Sequence, residues 1–215
     1  MMNHTEMINK TEIWVKEQLF DEKSGHDWYH IKRVTNQAIV LANKEQADLF
    51  IVTMASLLHD IADDKLIENE EKALNSIKEW LDSIQVTPEE QALIFDIIQS
   101  ISFKAGNGQL LRTIEAKVVQ DADRLDAIGA IGIARAFTYS GQKGQAMYDP
   151  TIAVRDNMTL EEYRNGKSSA VHHFYEKLFK LKDLMNTESA KEEAEKRHLF
   201  MEEFLEQFYR EWEGV

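Results

Sequence analysis

Apolar residues recur at the three-and-four spacing of an α-helix along almost the whole chain, and only 2 prolines and 9 glycines in 215 residues can interrupt it. Proline removes a backbone donor and glycine loosens the chain, so their scarcity favours long helices over a sandwich of many short strands. The spacing predicts a first helix over about residues 5–20, with Met7, Ile8, Ile13, Trp14, Val15 and Leu19 as its apolar positions. A second runs from Asp27 to about Lys44 and carries His30, Val34, Ala38 and Leu41 on one stripe. A third, about 48–62, is dense in Ile51, Met54, Ala55, Leu57 and Leu58 and reads as buried on most sides. A fourth covers about 69–84. Thr87, Pro88 and Glu90 then supply a cap, a first helical position and a capping-box acid, opening a fifth helix that ends near Ser102.

Beyond a glycine-flanked loop at 104–109, residues 112–138 read as a long helix with a break around Gly129–Gly132. Two more helices are expected at about 168–184 and 188–212. Phe200, Phe204, Phe208 and Trp212 form an aromatic stripe on the last, which fits core packing or a homodimer seam. The stretch 139–158 has no period, and such long irregular segments in compact domains serve as lids or binding loops or are merely disordered. With no internal repeat and no shift in composition, the expectation is one all-α domain over residues 1–215.

Charge and cysteine content narrow the functions. The formal net charge is −13, from 38 acidic against 25 basic residues, with no clustered positive stripe of the kind a nucleic-acid surface needs. An anionic small molecule can bind only where a metal or a few cations reverse the local field. There is no cysteine, which excludes a disulfide framework and any thiolate zinc site. No apolar run approaches the roughly 20 residues that span a bilayer, and the first twenty residues lack a basic start with an apolar core. The expected setting is cytoplasmic.

The chemistry-bearing residues lie in three segments. "GHDWYHIKRV" at 25–34 offers His26, Asp27 and His30; "LLHDIADDK" at 57–65 offers His59 and Asp60; "DADRLDA" at 121–127 offers Asp123 between acids at 121 and 126. In the first segment, Asp27 is placed to cap the helix that begins at Trp28, and His26 precedes it on a loop. His30 instead shares the apolar stripe that faces the core. A histidine and carboxylates at the margins of apolar helices are costly to bury unless something satisfies them, and a metal ion does so. Nitrogen and oxygen donors without thiolate suit Mn²⁺, Fe²⁺, Co²⁺, Ni²⁺ or Mg²⁺, with Zn²⁺ also compatible.

The order His, His-Asp, Asp, set in "HIKRV", "LLHDIAD" and "DADRLDA", resembles the HD-domain metal-dependent phosphohydrolases. The tail "VHHFYEKLFKLKDLMNTESAKEEAEKR" resembles their small bacterial YpgQ/YedJ type, so the likeness spans nearly the whole chain. The resemblance implies an HD core over about 20–140 with extra C-terminal helices over about 160–213. It implies one divalent ion, Mn²⁺ favoured, held by His30, His59, Asp60 and Asp123. No histidine lies between residues 60 and 123, whereas many two-metal members carry some there; a single-metal site follows.

The implied activity is hydrolysis of a nucleotide, and for this type a nucleoside or deoxynucleoside triphosphate cleaved to monophosphate and pyrophosphate. Phosphomonoesterase action on a nucleoside monophosphate and hydrolysis of guanosine alarmones are the enzymatic rivals. A non-catalytic helical binding module is the rival of another class. Asp63 and Asp64 follow Asp60 by about one turn and are the candidates to orient or deprotonate a water. For the substrate, His26, Lys104, Arg124 and Lys177 offer polar or cationic groups, with Lys180 and His172-His173 beside the last, and Tyr148 offers a ring for a base.

Overall fold

The computed structural model describes residues 2–20, 27–61, 70–101, 111–155 and 166–215. Among the described residues there are nine α-helices, two short 3-10 turns and no strand. The helices are α1 His4–Gln18, α2 Trp28–Glu45, α3 Leu49–Leu58, α4 Glu70–Ser83, α5 Pro88–Ile101, α6 Ile114–Asp126, α7 Gly129–Gln142, α8 Ala170–Glu176 and α9 Glu188–Glu213. The 3-10 turns, Leu178–Lys180 and Lys182–Leu184, lie between α8 and α9. Two compact units result, Met1–Ala122 and Asp123–Val215, and their boundary falls inside α6. No described helix is long and apolar enough to cross a membrane.

The first unit is built around α3. Every residue from Phe50 to Leu58 is buried, and α1, α2 and α5 all pack against this helix. A helix that is apolar all round has no face to offer water, so its neighbours must enclose it. Each of its large apolar side chains contributes roughly 1.5–3 kcal/mol on burial. Short polar devices fix where α3 begins. Gln46 closes α2 in the left-handed region, at φ 57°, and the Asp48 carboxylate accepts from the backbone N–H groups of Phe50 and Ile51 at 2.9 and 3.0 Å. Only Gln46, Ala47 and Asp48 separate α2 from α3, which folds α3 back against α2.

The start signals read from the sequence operate as expected. Asp27 caps α2 by accepting from the His30 N–H at 2.9 Å. At α5, the Glu90 N–H donates to Thr87 Oγ1 and the Thr87 N–H donates back to Glu90 Oε2, the reciprocal pair of a capping box. The second unit gathers aromatic rings between α7, α8 and α9. Phe137 lies 6.3 Å from Phe174, 5.9 Å from Phe204 and 6.2 Å from Phe208 between ring centroids. Phe204 and Phe208 of the C-terminal stripe are therefore packed, while Phe200 stays exposed and Trp212 is stacked on Phe208 but still exposed.

Three element boundaries differ from expectation. The third helix stops at Leu58 rather than at 62, so His59 and Asp60 sit on the turn that leaves it. The stretch 112–138 is two helices, parted at Ala127 and Ile128 and followed by Gly129 at φ +75°. The turn brings the Ala127 carbonyl onto the first turn of α7, where a β-carbon on Gly132 would lie 2.3 Å from that oxygen. The helix expected at 168–184 is α8 alone. Lys177, at φ −139° and ψ −55°, leaves helical geometry, and tighter bonds such as Leu181 N–H to the Leu178 carbonyl then turn Leu178 and Leu181 inward.

Two glycines of α7 separate these effects. Gly132→Ala is expected to lower unfolding free energy by roughly 2–4 kcal/mol, because backbone must move to admit the methyl group. Gly141→Ala, where nothing lies within 4 Å, should be neutral or gain up to about 1 kcal/mol from helix propensity. Chemical denaturation midpoints of the two variants check the contrast.

Candidate metal centre

Three side chains of the first unit converge at the exit of α3. His30 from α2, His59 at the end of α3 and Asp60 after it are all buried, and one ligand atom from each lies within 4.8 Å of the other two. His30 Nε2 stands 3.2 Å from Asp60 Oδ2, and His59 Nε2 stands 3.4 Å from Asp60 Oδ1. Among the described residues of the first segment, His30, on the core stripe of α2, joins the group. The local chain explains the aim of His59. The last carbonyls of a helix lack intrahelical partners. The Ser56 carbonyl is one of them, and it accepts from His59 Nδ1 at 2.7 Å.

That bond also decides the tautomer. A carbonyl only accepts, so Nδ1 carries the proton, and in the neutral ring Nε2 turns its lone pair toward the Asp60 carboxylate. An imidazole nitrogen and a carboxylate oxygen brought together in a buried site form a pair that a cation can bridge. Donors bonded to one ion at about 2.1 Å stand about 3.0 Å apart at right angles and about 3.4 Å apart in a tetrahedron. The observed 3.2 and 3.4 Å fall in that range. Two imidazole nitrogens and a carboxylate oxygen, with no thiolate in the chain, fit a divalent first-row ion or Mg²⁺. His30, His59 and Asp60 are the residues that would hold it.

Asp123 is half-buried on the last turns of α6, at the start of the second unit. Its neighbours are more enclosed: Asp121 has no exposure, and Asp126, at 5%, pairs with Arg135 at 2.6 Å. Asp63 and Asp64, the water-activating candidates, lie outside the described residues, as do His26 and Lys104.

The remaining substrate candidates belong to the second unit and have structural partners there. The Arg124 guanidinium donates to the Leu184 carbonyl. Tyr148 stacks on His172 at 5.7 Å and meets Tyr209 and Trp212 edge-on at 5.4 and 5.1 Å. Lys177 ends α8 and its N–H donates to the His173 carbonyl at 3.0 Å. The described part of the irregular stretch is strapped to α8: the N–H groups of Ala170 and Val171 donate to the carbonyls of Ala146 and Met147, and His172 Nε2 donates to the Ile152 carbonyl. Arg155 then clamps the buried Glu176 through two bonds of 2.7 and 2.8 Å, and Ser168 Oγ adds a third at 2.9 Å. Burial alone would raise the Glu176 pKa, but the Arg155 and Ser168 hydrogen bonds and the Arg155 charge outweigh it and hold the group below the usual range. This clamp escaped the sequence reading, since nothing local links residues 21 apart.

The HD domain family matches residues 27–128, which include all three converging side chains. The chain belongs to this family, the HD superfamily of metal-dependent hydrolases. Among its relatives, YpgQ of Bacillus subtilis is 40% identical over 217 residues, covering 100% of this chain and 98% of that protein. An HD-superfamily hydrolase from Bacillus thuringiensis superposes with a TM-score of 0.82 at 49% identity, over 99% of this chain and 100% of the other. The structure of Bacillus subtilis YpgQ in complex with ADP gives 0.80 at 37% identity, over 100% and 99%.

Two outcomes are expected from this geometry. Elemental analysis after loading with Mn²⁺ should find about one ion per chain, and His30→Ala or His59→Ala should abolish it; a metal-loaded His30→Ala would remove that residue from the centre. The second outcome concerns pH. Burial, chiefly, together with the Lys177 charge, lowers the His173 pKa to about 4 from 6.5. Between those values the unfolded chain binds a proton that the folded chain refuses, so stability falls as pH drops from 6.5 toward 4. His173→Gln should flatten that part of a denaturation-against-pH profile while leaving a further loss at lower pH, where Glu176 gives up its clamp.

Proposed function

We propose that this protein is a single-metal phosphohydrolase of nucleotides, acting in the cytoplasm, whose reaction converts a nucleoside or deoxynucleoside triphosphate to the monophosphate and pyrophosphate. The observation that carries the metal-dependent reading is the buried convergence of His30, His59 and Asp60 in a nitrogen-and-oxygen donor set. Support for a nucleotide comes from a relative, since Bacillus subtilis YpgQ has been crystallised in complex with ADP. Asp123, which occupies the last position of the family motif, is proposed as the fourth ligand. The ligands are drawn from segments across the chain, so we treat residues 1–215 as one catalytic domain.

When bound, a divalent ion supplies Lewis acidity toward a phosphoryl oxygen and acidifies a water at neutral pH. The chain's own residues do the rest. Ser56 holds His59 through its carbonyl, which occupies Nδ1 and leaves Nε2 as the nitrogen that faces Asp60. Asp63 or Asp64 takes a proton from the attacking water. That water's oxygen bonds to the α-phosphorus as the bond from that phosphorus to the bridging oxygen breaks, and the electron pair leaves with pyrophosphate. Arg124, Lys177, Lys104 and His26 are proposed to offset substrate charge, and Tyr148 to meet the base.

The test is a panel of nucleoside mono-, di- and triphosphates and guanosine alarmones, run with Mn²⁺, Mg²⁺, Co²⁺ and Ni²⁺ and with phosphate and pyrophosphate assayed separately. Chelator should abolish turnover, Mn²⁺ should restore it, and pyrophosphate should appear from a triphosphate. Turnover of monophosphates alone would reassign the reaction to a phosphomonoesterase. No metal binding at all would return the chain to the class of helical binding modules. At the correct one of Asp63 and Asp64, substitution by Asn should keep the metal and lower kcat by roughly 10²–10⁴-fold. Near-normal kcat in both variants would remove these acids from the mechanism.

A further inference from the structure

We propose that Asp27, which is not a member of the donor cluster, is a positioning residue for the metal centre and acts through the backbone of His30. The inference rests on the reading of His30 as a metal ligand. With Asp27 as the cap, Trp28, Tyr29 and His30 are the first three helical residues of α2, so the ligand lies in the first turn. A first turn is the part of a helix that frays, because its N–H groups have no carbonyl one turn earlier to receive them. Here the orphan donor satisfied by a side chain is that of the ligand residue itself: the His30 N–H donates to Asp27 Oδ1 at 2.9 Å. The Asp27 carbonyl takes the next N–H, from Ile31, at 3.2 Å. Asp27 adopts extended backbone, at φ −75° and ψ 172°, as an N-cap must.

The consequence is one of order. His30 meets Asp60 at 3.2 Å only while the first turn of α2 is formed. Without the cap, metal binding must itself organise that turn, and affinity falls by the cost of doing so. Groups that hold a ligand without touching the metal typically alter affinity by about 10–100-fold when removed. The effect should follow the hydrogen bond and not the charge, because Asn and Ser also cap.

The experiment is titration of the whole chain with Mn²⁺ by calorimetry, comparing wild type with Asp27→Ala, Asp27→Asn, Asp27→Ser and Thr187→Ala. Asp27→Ala should weaken the Mn²⁺ Kd by about 10–100-fold, and Asn and Ser should restore it to within about threefold. Thr187 caps α9 in the second unit by accepting from the Ala190 N–H, so its loss should lower Tm without changing the Kd. Amide exchange in the metal-free proteins gives a second readout, in which the His30 N–H is protected in wild type and loses protection in Asp27→Ala. Should Asp27→Ala not fold, Asp27→Gly takes its place, and because glycine costs a helix start little, lost protection of the His30 N–H is then the deciding readout, with wild-type protection overturning the role. A wild-type Kd in Asp27→Ala overturns the positioning role and leaves the metal centre intact. Asn as damaging as Ala overturns it too, by showing that the charge is what matters. Wild type that binds no Mn²⁺ sinks both this inference and the metal reading beneath it.

Discussion

Asp60 is a carboxylate with 4% exposure facing two buried imidazoles, and water has been taken from all three. A carboxylate so enclosed is costly to leave charged unless hydrogen bonds or a cation meet it, and the enclosure strengthens its hold on any cation that does. The apolar character of α3 creates this situation. Its nine consecutive buried residues draw the end of the helix deep into the first unit, so whatever follows Leu58 is delivered to a dry place. The composition of one short helix therefore supplies the framework and also the electrostatic demand that makes the site reactive toward cations.

The same turn solves two problems with one side chain. A buried helix end leaves carbonyls that need donors, and a histidine that is to present Nε2 needs its other nitrogen occupied. The contact between His59 Nδ1 and the Ser56 carbonyl meets both needs. Asp27 does comparable work at the start of α2, where a cap falls on the residue whose imidazole faces Asp60. In each case the bond that ends or begins a helix also orients a functional group, so local stability and site geometry are set by the same few atoms.

Much of this was legible in the chain because its determinants are local. Helical period, the Thr87 and Glu90 box, the Asp27 cap and the core stripe bearing His30 all depend on residues within a turn or two of one another. The exit of α3 at Leu58 was not legible. No glycine or proline marks it, and helical propensity alone would carry the helix on through His59 and Asp60. Lys177 likewise ends α8 without any residue that breaks helices; the apolar positions Leu178 and Leu181 turn inward beyond it. The break before α7 had a local sign in Gly129, which holds φ +75°, but the crowding there by Arg197, 68 residues on and 3.0 Å from where a β-carbon would lie, had none.

The second unit holds a polar network of a different kind. The half-buried Arg155 forms a two-pronged pair with the buried Glu176, with Ser168 as a third donor, and His172 spans Ser169 and the Ile152 carbonyl. Every oxygen in the Glu176 clamp has a donor from this chain, so the group is satisfied as an ordinary ion pair and stays anionic. The contrast with Asp60 is chemical. Glu176 faces a guanidinium, which brings its own charge and cannot give up its proton, whereas Asp60 faces imidazoles, one of which has committed its proton elsewhere. A buried carboxylate opposite arginine fastens the irregular stretch to α8; a buried carboxylate opposite histidine nitrogens completes a nitrogen-and-oxygen donor set that suits a divalent ion.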